Sequence, residues 1–256
     1  ILYQEGCRME KTFRIGEIAE ILGVPASRLR YWESVGLLDC GREAENQYRA
    51  YEAGDLMRIS DLMFYRSLGL SIKSISEIDA MEVEGHEILC AAQESALEDQ
   101  KLQLERQLQR LRRYTRALEV IRELRRIPFT DAQIDTACIV PFELVDAGVL
   151  RQYMDDPYLY SRVQDSSDLS RERRGLTVAP AAAAEYAEVL WRHGGGRYVA
   201  GLMREEVRPG YPNDLPALLR AVQRRYQTGA VISRFLTRAR ENGTVFDFYK
   251  TYIEIL

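Results

Sequence analysis

Cations and phenols crowd one short stretch near the amino end of the chain. Arg28, Arg30 and Tyr31 lie within four residues of one another, and Arg42, Tyr48 and Arg49 follow in a polar segment. Guanidinium groups bind phosphate oxygens and base edges in a forked, two-point geometry, so this grouping suits the gripping of a nucleic acid duplex. Other chemistries are poorly served. Cys7, Cys40, Cys90 and Cys138 are scattered, without a Cys-x-x-Cys, and only His86 stands near one of them. A soft metal ion or an iron-sulfur cluster needs several such ligands converging, so neither a metal nor a cofactor is expected. His86 and His193 are the only histidines, and no Ser, Cys or Asp has a partner by spacing that would make a nucleophile and its base. The run Gly194-Gly195-Gly196 lacks the Lys-Ser/Thr of a phosphate cradle and reads as a hairpin or loop.

The elements that must position those cations follow from spacing. Ile15, Ile18, Ala19 and Leu22 recur at helical intervals and form one buried face, with Thr12 placed as the cap. Gly23 stops this helix, and Pro25 suits the first turn of a second one over residues 26–35. On that second helix Leu29 and Trp32 or Val35 face inward, which leaves Arg28, Arg30 and Tyr31 outward. Two short helices joined by a tight glycine turn lay the second in a major groove. Leu37-Leu38, the polar residues 42–47 and Tyr48-Arg49-Ala50-Tyr51 predict a small hairpin whose tip carries Arg42 and Arg49 to the phosphates.

The order of these features resembles the DNA-binding domain of the MerR family of transcription regulators over about seventy residues. The resemblance rests on the Ile15-Gly16-Glu17-Ile18-Ala19 opening, on Leu29-Arg30-Tyr31-Trp32-Glu33, on Gly36-Leu37-Leu38 and on Tyr48-Arg49-Ala50-Tyr51. It continues through Asp55-Leu56-Met57-Arg58-Ile59 and Leu68 to Ile75. The residues expected at DNA are Arg14, Ser27, Arg28, Arg30, Tyr31, Arg42, Tyr48, Arg49, Arg58 and Lys73. The resemblance further implies promoters with an overlong spacer, which the liganded protein bends and untwists so that RNA polymerase can engage; polymerase is thus an indirect partner. Residues 9–83 carry 9 Lys/Arg against 13 Asp/Glu, so cations such as Arg28, Arg49, Arg66 and Lys73 must be sorted onto one face of an acidic domain.

The whole chain has 256 residues, 46% of them hydrophobic, and a net charge of −4. That length allows two or three compact units, and the small net charge identifies no partner. No apolar run reaches the about eighteen residues that a membrane span needs. Residues 1–8 are too short and polar for a signal peptide and read as an extension upstream of a start at Met9. A cytoplasmic protein without membrane contact is expected.

Residues 84–126 read as one long helix. Cys90, Leu97, Leu104, Leu111 and Leu118 fall seven apart with Leu108 at the second seam position, the pattern of an antiparallel two-stranded coiled coil, although Glu94, Lys101 and Thr115 weaken that second position. A helix of this length spans roughly 60 Å and can hold two DNA-reading heads apart in a homodimer. Residues 101–126 carry 9 Lys/Arg against 3 Asp/Glu, read as a solvated face.

Pro128 ends the helix and a mixed pattern begins. Strands are predicted over 136–142, 175–178, 198–207, 231–238 and 246–256, and helices over 180–193 and 215–227, giving an α+β domain on an antiparallel sheet. By length, position and its ending in Thr251-Tyr252-Ile253-Glu254-Ile255-Leu256, this half resembles the GyrI-like effector-binding domain of multidrug-sensing MerR regulators. Such domains bind bulky, often cationic or aromatic molecules between two structural repeats, commonly beside a buried acid. The strand over 231–238, where that acid often lies, offers Ser233, Arg234 and Phe235 but no carboxylate, which speaks against a cationic ligand. Aromatic faces favour a flat ligand. The expected ligand residues are Tyr153, Tyr186, Trp191, Tyr198, Phe235 and Tyr252, with Glu188 and Glu254 as acids.

The fold expected is mainly α with α+β: an N-terminal winged helix-turn-helix over 9–83, a long dimerisation coiled-coil helix over 84–127 and a C-terminal α+β ligand-binding domain over 128–256. The function expected is that of a dimeric regulator distorting double-stranded promoter DNA in response to a small aromatic or drug-like effector. Two alternatives stay open: a GyrI-like hydrolase of small molecules fused to a DNA-binding head, and a repressor that needs no ligand.

Overall fold

The computed structural model describes residues 12–42, 49–142 and 147–256. Cys7, Met9 and Tyr48 lie outside the described residues, as does the side chain of Arg42. The chain divides into two compact units, Ile1–Glu105 and Arg106–Leu256.

In the first unit, helix α1 (Ile15–Leu22) starts from Arg14, whose N–H donates to the Glu17 carboxylate at 2.7 Å. Thr12 is therefore not the cap that its type and position predict. The reason is tertiary: Phe13 pairs with Tyr51 in an isolated antiparallel bridge, which keeps the chain extended up to Arg14, and Glu17 reaches back to the donor that needs a partner. Gly23 ends α1 in the left-handed region (φ 63°), where a side chain would be strained. Helix α2 (Ala26–Ser34) follows with Pro25 as its N-cap. Strands β1 (Gly41–Arg42) and β2 (Arg49–Ala50) pair antiparallel as the wing. Helix α3 (Ala53–Ser67) and helix α4 (Ile72–Glu77), the latter capped by the Ser71 hydroxyl, complete the unit with one 3-10 turn at Ile78–Ala80.

The inward positions close one core. Ile18, Val24, Leu29, Trp32, Leu37, Tyr51, Ile59, Leu62 and Ile75 are all buried in it. Of the two inward alternatives on α2 the structure selects Trp32; Val35 is exposed. Helix α5 (Val83–Arg126) then runs for 44 residues.

The second unit is built on one eight-stranded antiparallel sheet. Its strands are β3 (Thr130–Ala132), β4 (Cys138–Pro141), β5 (Tyr160–Asp165), β6 (Asp168–Val178), β7 (Trp191–Arg192), β8 (Arg197–Glu206), β9 (Thr228–Glu241) and β10 (Thr244–Ile255), with α6 (Ala147–Asp155) after β4 and α7 (Leu215–Gln223) after β8. The order across the sheet is β3-β8-β10-β9-β5-β6-β4-β7. Two strand-helix-strand-strand units, β4-α6-β5-β6 and β8-α7-β9-β10, therefore join edge to edge where β5 pairs with β9.

Alternation along the strands gives the sheet two covered faces. Tyr198, Ala200, Ile232, Leu236, Phe248 and Tyr252 pack with Ala117, Val120, Ile121 and Leu124 from the end of α5. Val199, Met203, Val231, Tyr249 and Ile253 pack with Leu215, Leu219 and Val222 of α7. Asn242 and Gly243, both at positive φ, make the two-residue turn between β9 and β10 that such a sequence favours.

The helix predicted over 180–193 does not form. That segment holds only a 3-10 turn at Ala182–Glu185 and the short strand β7, which pairs Trp191 with Ile139 of β4. Four alanines supply helix propensity for a single turn, and a turn alone does not repay helix nucleation. Gly194 to Gly196 form a loop between β7 and β8, two strands that do not pair with each other. Helix α6 and strands β3, β5 and β7 are elements that no predicted span anticipates.

Candidate nucleic-acid interface and ligand pocket

The same geometry that buries Leu29 and Trp32 turns Ser27, Arg28, Arg30 and Tyr31 to solvent, with Tyr31 half exposed. Among the described residues Arg28, Arg30 and Lys73 enter no ion pair. Arg28 and Tyr31 border a shallow depression of about 530 Å³ that also meets Met63, Arg66 and Ile72. Arg14 is exposed at the start of α1. Arg58 is placed differently from these cations: its guanidinium pairs with Asp79 at 2.7 Å and reaches the Leu37 carbonyl at 3.4 Å, tying α3 to its neighbours.

A residue absent from the expected contacts organises this region. Glu33, near the end of α2, accepts the Arg49 Nε at 2.7 Å, the Tyr51 hydroxyl at 3.0 Å and the Cys40 thiol at 2.5 Å. One carboxylate thus fixes β2 of the wing, and the chain leading into β1, against the helix that carries Arg28 and Arg30. Burial alone would raise the Glu33 pKa, but hydrogen bonds from Cys40, Arg49 and Tyr51 outweigh it and hold the carboxyl below its ordinary value. Burial first, then the Glu33 hydrogen bond and charge, push the Cys40 thiol up to about 11 and the Tyr51 phenol up as well. The signal was in the sequence: Glu33 closes Leu29-Arg30-Tyr31-Trp32-Glu33 and stands one helical step beyond the buried Trp32.

The expected ligand residues of the second unit divide between the two faces of its sheet. Trp191, Tyr198 and Tyr252 stack edge-on in a row, with centroids 6.5 Å apart at each step, on the face that α5 covers. Glu254 accepts the Ala230 N–H at 3.0 Å and the Tyr198 hydroxyl at 3.5 Å. Burial and Glu254 raise the Tyr198 pKa to about 12. A side chain at Gly196 or Gly229 would meet the Glu254 carboxylate at 2.4 or 2.6 Å, so both glycines make room for it. Glu188 is exposed and paired twice with Arg173, and Tyr186 bonds to Gln152.

Tyr153 and Phe235 meet on the opposite face, in a cavity of about 570 Å³ at the junction of the two strand-helix-strand-strand units. Phe142, Tyr153 and Tyr160 form one aromatic cluster there, at 5.2 to 6.1 Å, and Phe235 with Tyr249 a second at 5.7 Å. The floor holds a charged pair that the sequence reading missed. Arg162 on β5 grips Glu205 on β8 through both terminal nitrogens at 2.5 Å and donates to the Tyr249 hydroxyl at 2.7 Å. Arg162 is 5% exposed and Glu205 2%. Burial works against the Arg162 charge, but the Glu205 hydrogen bonds overcome it and hold the guanidinium above its ordinary value. Among the described residues, no three His, Cys, Asp or Glu side chains are grouped so as to hold a metal ion.

Two short helices around a glycine turn, cations outward on the second and a wing fixed to it define a winged helix-turn-helix, the head of a DNA-binding transcription regulator. The profile of the MerR HTH family of regulatory proteins matches residues 13–82. The heavy metal-dependent transcription regulator 2 of Rhizobium meliloti is 30% identical over 105 residues, which are 41% of this chain and 71% of that protein. The HTH-type transcriptional regulator ZntR of Escherichia coli K12 is 25% identical over 107 residues, 42% of this chain and 76% of ZntR. Among solved structures, HiNmlR, a MerR family regulator lacking the sensor domain and bound to promoter DNA, is similar at 26% identity and a TM-score of 0.35, covering 44% of this chain and 95% of that one. The chain belongs to the MerR family of helix-turn-helix transcription regulators. No described helix is long and apolar enough to cross a membrane.

Proposed function

We propose that the protein is a homodimeric, ligand-responsive regulator that distorts double-stranded promoter DNA. Residues 9–83 are the DNA-reading head, 84–127 the dimerisation helix and 128–256 an effector-binding domain of GyrI-like type. One observation carries the reading: Arg28 and Arg30 stand outward and, among the described residues, free of ion pairs, on a helix whose other face is core and whose wing is bracketed to it through Glu33. Arg28, Arg30 and Tyr31 enter the major groove, while Arg49 and the wing meet the backbone.

Dimerisation is supported by the exposed seam of α5. Leu97, Leu104, Leu108 and Leu111 all face solvent in the single chain, and a stripe of leucines at heptad spacing finds its cover in a second helix. Each dimer then presents two heads to successive major grooves on one face of the duplex. Bending of the spacer between them changes how RNA polymerase meets its two recognition elements, at a deformation cost set by base steps the protein need not touch. The effector acts because it binds one of the two protein states more tightly, and its site is the aromatic cavity at the junction of β5 and β9.

Footprinting on the DNA upstream of the protein's own gene, with in vitro transcription in the presence and absence of a library of aromatic compounds, tests the reading. Arg30→Ala removes the site-specific footprint while light scattering still finds a dimer. A retained footprint would remove α2 from its role as the reading helix.

A further inference from the structure

The cavity proposed above as the effector site is lined by aromatic rings and by charged groups of both signs, and the pairing of those groups decides what a ligand meets. Its carboxylates are already taken. Both oxygens of Glu205 accept from Arg162, and both oxygens of Asp247 accept from Arg238, at 2.7 and 2.9 Å. Glu172, just outside, gives one oxygen to Arg162 at 3.3 Å and the other to Arg174 at 3.1 Å. An incoming cation would have to displace a bidentate guanidinium from a buried or half-buried carboxylate, which is unfavourable.

The unsatisfied groups are donors. The Nε of Arg162 is buried and has no hydrogen-bond acceptor, although the rest of that guanidinium makes four bonds. Arg174, at the rim, commits only its Nε to Glu172. Arg238 commits its Nε and one terminal nitrogen to Asp247. The Arg162 Nε is closed off from the cavity, whereas the terminal nitrogens that Arg174 and Arg238 leave uncommitted among the described residues give a ligand that supplies an acceptor charge-assisted bonds. The rings of Phe142, Tyr153, Tyr160 and Phe235 supply apolar faces around these donors.

From this arrangement we infer that the effector is an aromatic anion, a flat ring system bearing a carboxylate or a group of like charge, held by the spare terminal N–H donors of Arg174 and Arg238. The inference rests on the reading of this cavity as the effector site and adds the sign of the charge. It inverts the preference for cations that the GyrI-like resemblance implies.

Calorimetry on the full chain with a matched series tests it: naphthalene carboxylate, its neutral carboxamide, the naphthylmethylammonium cation, and acetate as an anion without a ring. The carboxylate is expected to bind about tenfold more tightly than the cation, the gain of one charge-assisted hydrogen bond, and acetate not at all. Arg174→Gln, at an exposed rim position that leaves the fold intact, lowers carboxylate affinity several-fold and leaves the carboxamide unchanged. Arg238→Lys, which keeps a charge beside Asp247 and withdraws the spare terminal nitrogen, does the same. If the cation binds as tightly as the carboxylate or more so, and Phe235→Ala abolishes that binding, the cavity is a ligand site and the inferred charge is wrong. If no aromatic member binds, the effector site itself is misplaced and the inference falls with it.

Discussion

The head and the sheet domain each build a clamp from one glutamate, one arginine and one tyrosine, and the two clamps differ in how far water reaches them. In the head, Glu33 binds Arg49 and Tyr51 at the boundary of the core, and the Arg49 side chain is 37% exposed. In the sheet domain, Glu205 binds Arg162 with Tyr249 beside it, and both charged side chains are almost fully buried. Water reaches the arginine of the first pair but little of its glutamate, so the pair contributes modestly to stability and its value is chiefly positional: it sets the wing against α2. A buried pair is expensive to assemble and more expensive to break, so the second fixes the register of the sheet's centre and the polarity of a cavity. The same chemistry orients a surface in one place and defines an interior in the other.

The sharpest way to break the comparison is to remove the buried acid. Glu205→Ala strips the buried Arg162 of its two short carboxylate bonds and leaves it only the longer one to Glu172 at 3.3 Å, and a loss of about 3 kcal/mol of stability in the second unit is expected. The chain's two tryptophans separate the effects, since Trp32 lies in the core of the head and Trp191 on β7 of the sheet. Replacing each in turn by Phe and following the remaining fluorescence in urea should show a lowered midpoint at Trp191 and an unchanged one at Trp32. Equal midpoints at Trp191 with and without Glu205 would mean that Glu172 alone suffices for Arg162, and the contrast between the clamps would dissolve.

The head was largely legible in the sequence because its determinants are local. Gly23 and Pro25 punctuate it, and Ile18, Leu29, Trp32 and Leu62 are apolar residues at apolar positions. The error at Thr12 came from a long-range bridge, Phe13 to Tyr51, that no local rule anticipates. The sheet domain was less legible because β5 hides its own pattern. Ser161, Arg162 and Gln164 are polar residues in buried positions, so the alternation that announces a strand is missing. That strand also carries the Arg162 that pairs with Glu205 forty-three residues away, which is why the floor of the cavity could not be read. Of the expected ligand residues, Tyr153 and Phe235 line that cavity, while Trp191, Tyr198 and Tyr252 belong to the face that α5 covers.

A smaller effect sharpens the positional role assigned to the first clamp. Glu33→Gln keeps the shape of the side chain and removes its charge, weakening its bond to Arg49. Stability of the head should change little, whereas affinity for the operator should fall by about 1 kcal/mol, roughly fivefold in Kd, because the wing is no longer preset against α2. Electrophoretic mobility shifts at fixed salt measure this against urea midpoints read from Trp32. The wild-type clamp should also fail in acid: the Glu33 carboxyl lies below its ordinary value in the folded head, so its contribution is present above the ordinary carboxylate range and is lost as pH falls through the lowered value. A stability loss in Glu33→Gln as large as that in Glu205→Ala would make the head's clamp structural and erase the distinction.

The smallest effect concerns the thiol in the same cluster. Cys40 is raised from an ordinary 9.0 to about 11 by burial and by Glu33, so the folded head keeps this proton where the unfolded chain gives it up. Its contribution is complete below 9.0 and is lost as pH rises towards about 11, so that stability declines with pH across that window. Cys40→Ser retains a donor for Glu33 that does not titrate there, and the decline in the Trp32 urea midpoint should flatten. Tyr51 is raised too, by burial and Glu33, so it adds a decline of its own above 10.0 in both proteins, and the thiol is read between 9.0 and 10.0. Identical slopes for wild type and Cys40→Ser would remove the thiol from the clamp, leaving Arg49 and Tyr51 to fix the wing alone. The second unit has no such thiol, and its raised phenols, Tyr198 among them, begin to cost stability only above their ordinary 10.0, so a decline between 9.0 and 10.0 that is seen at Trp32 and absent at Trp191 is the pattern that ties the effect to Cys40.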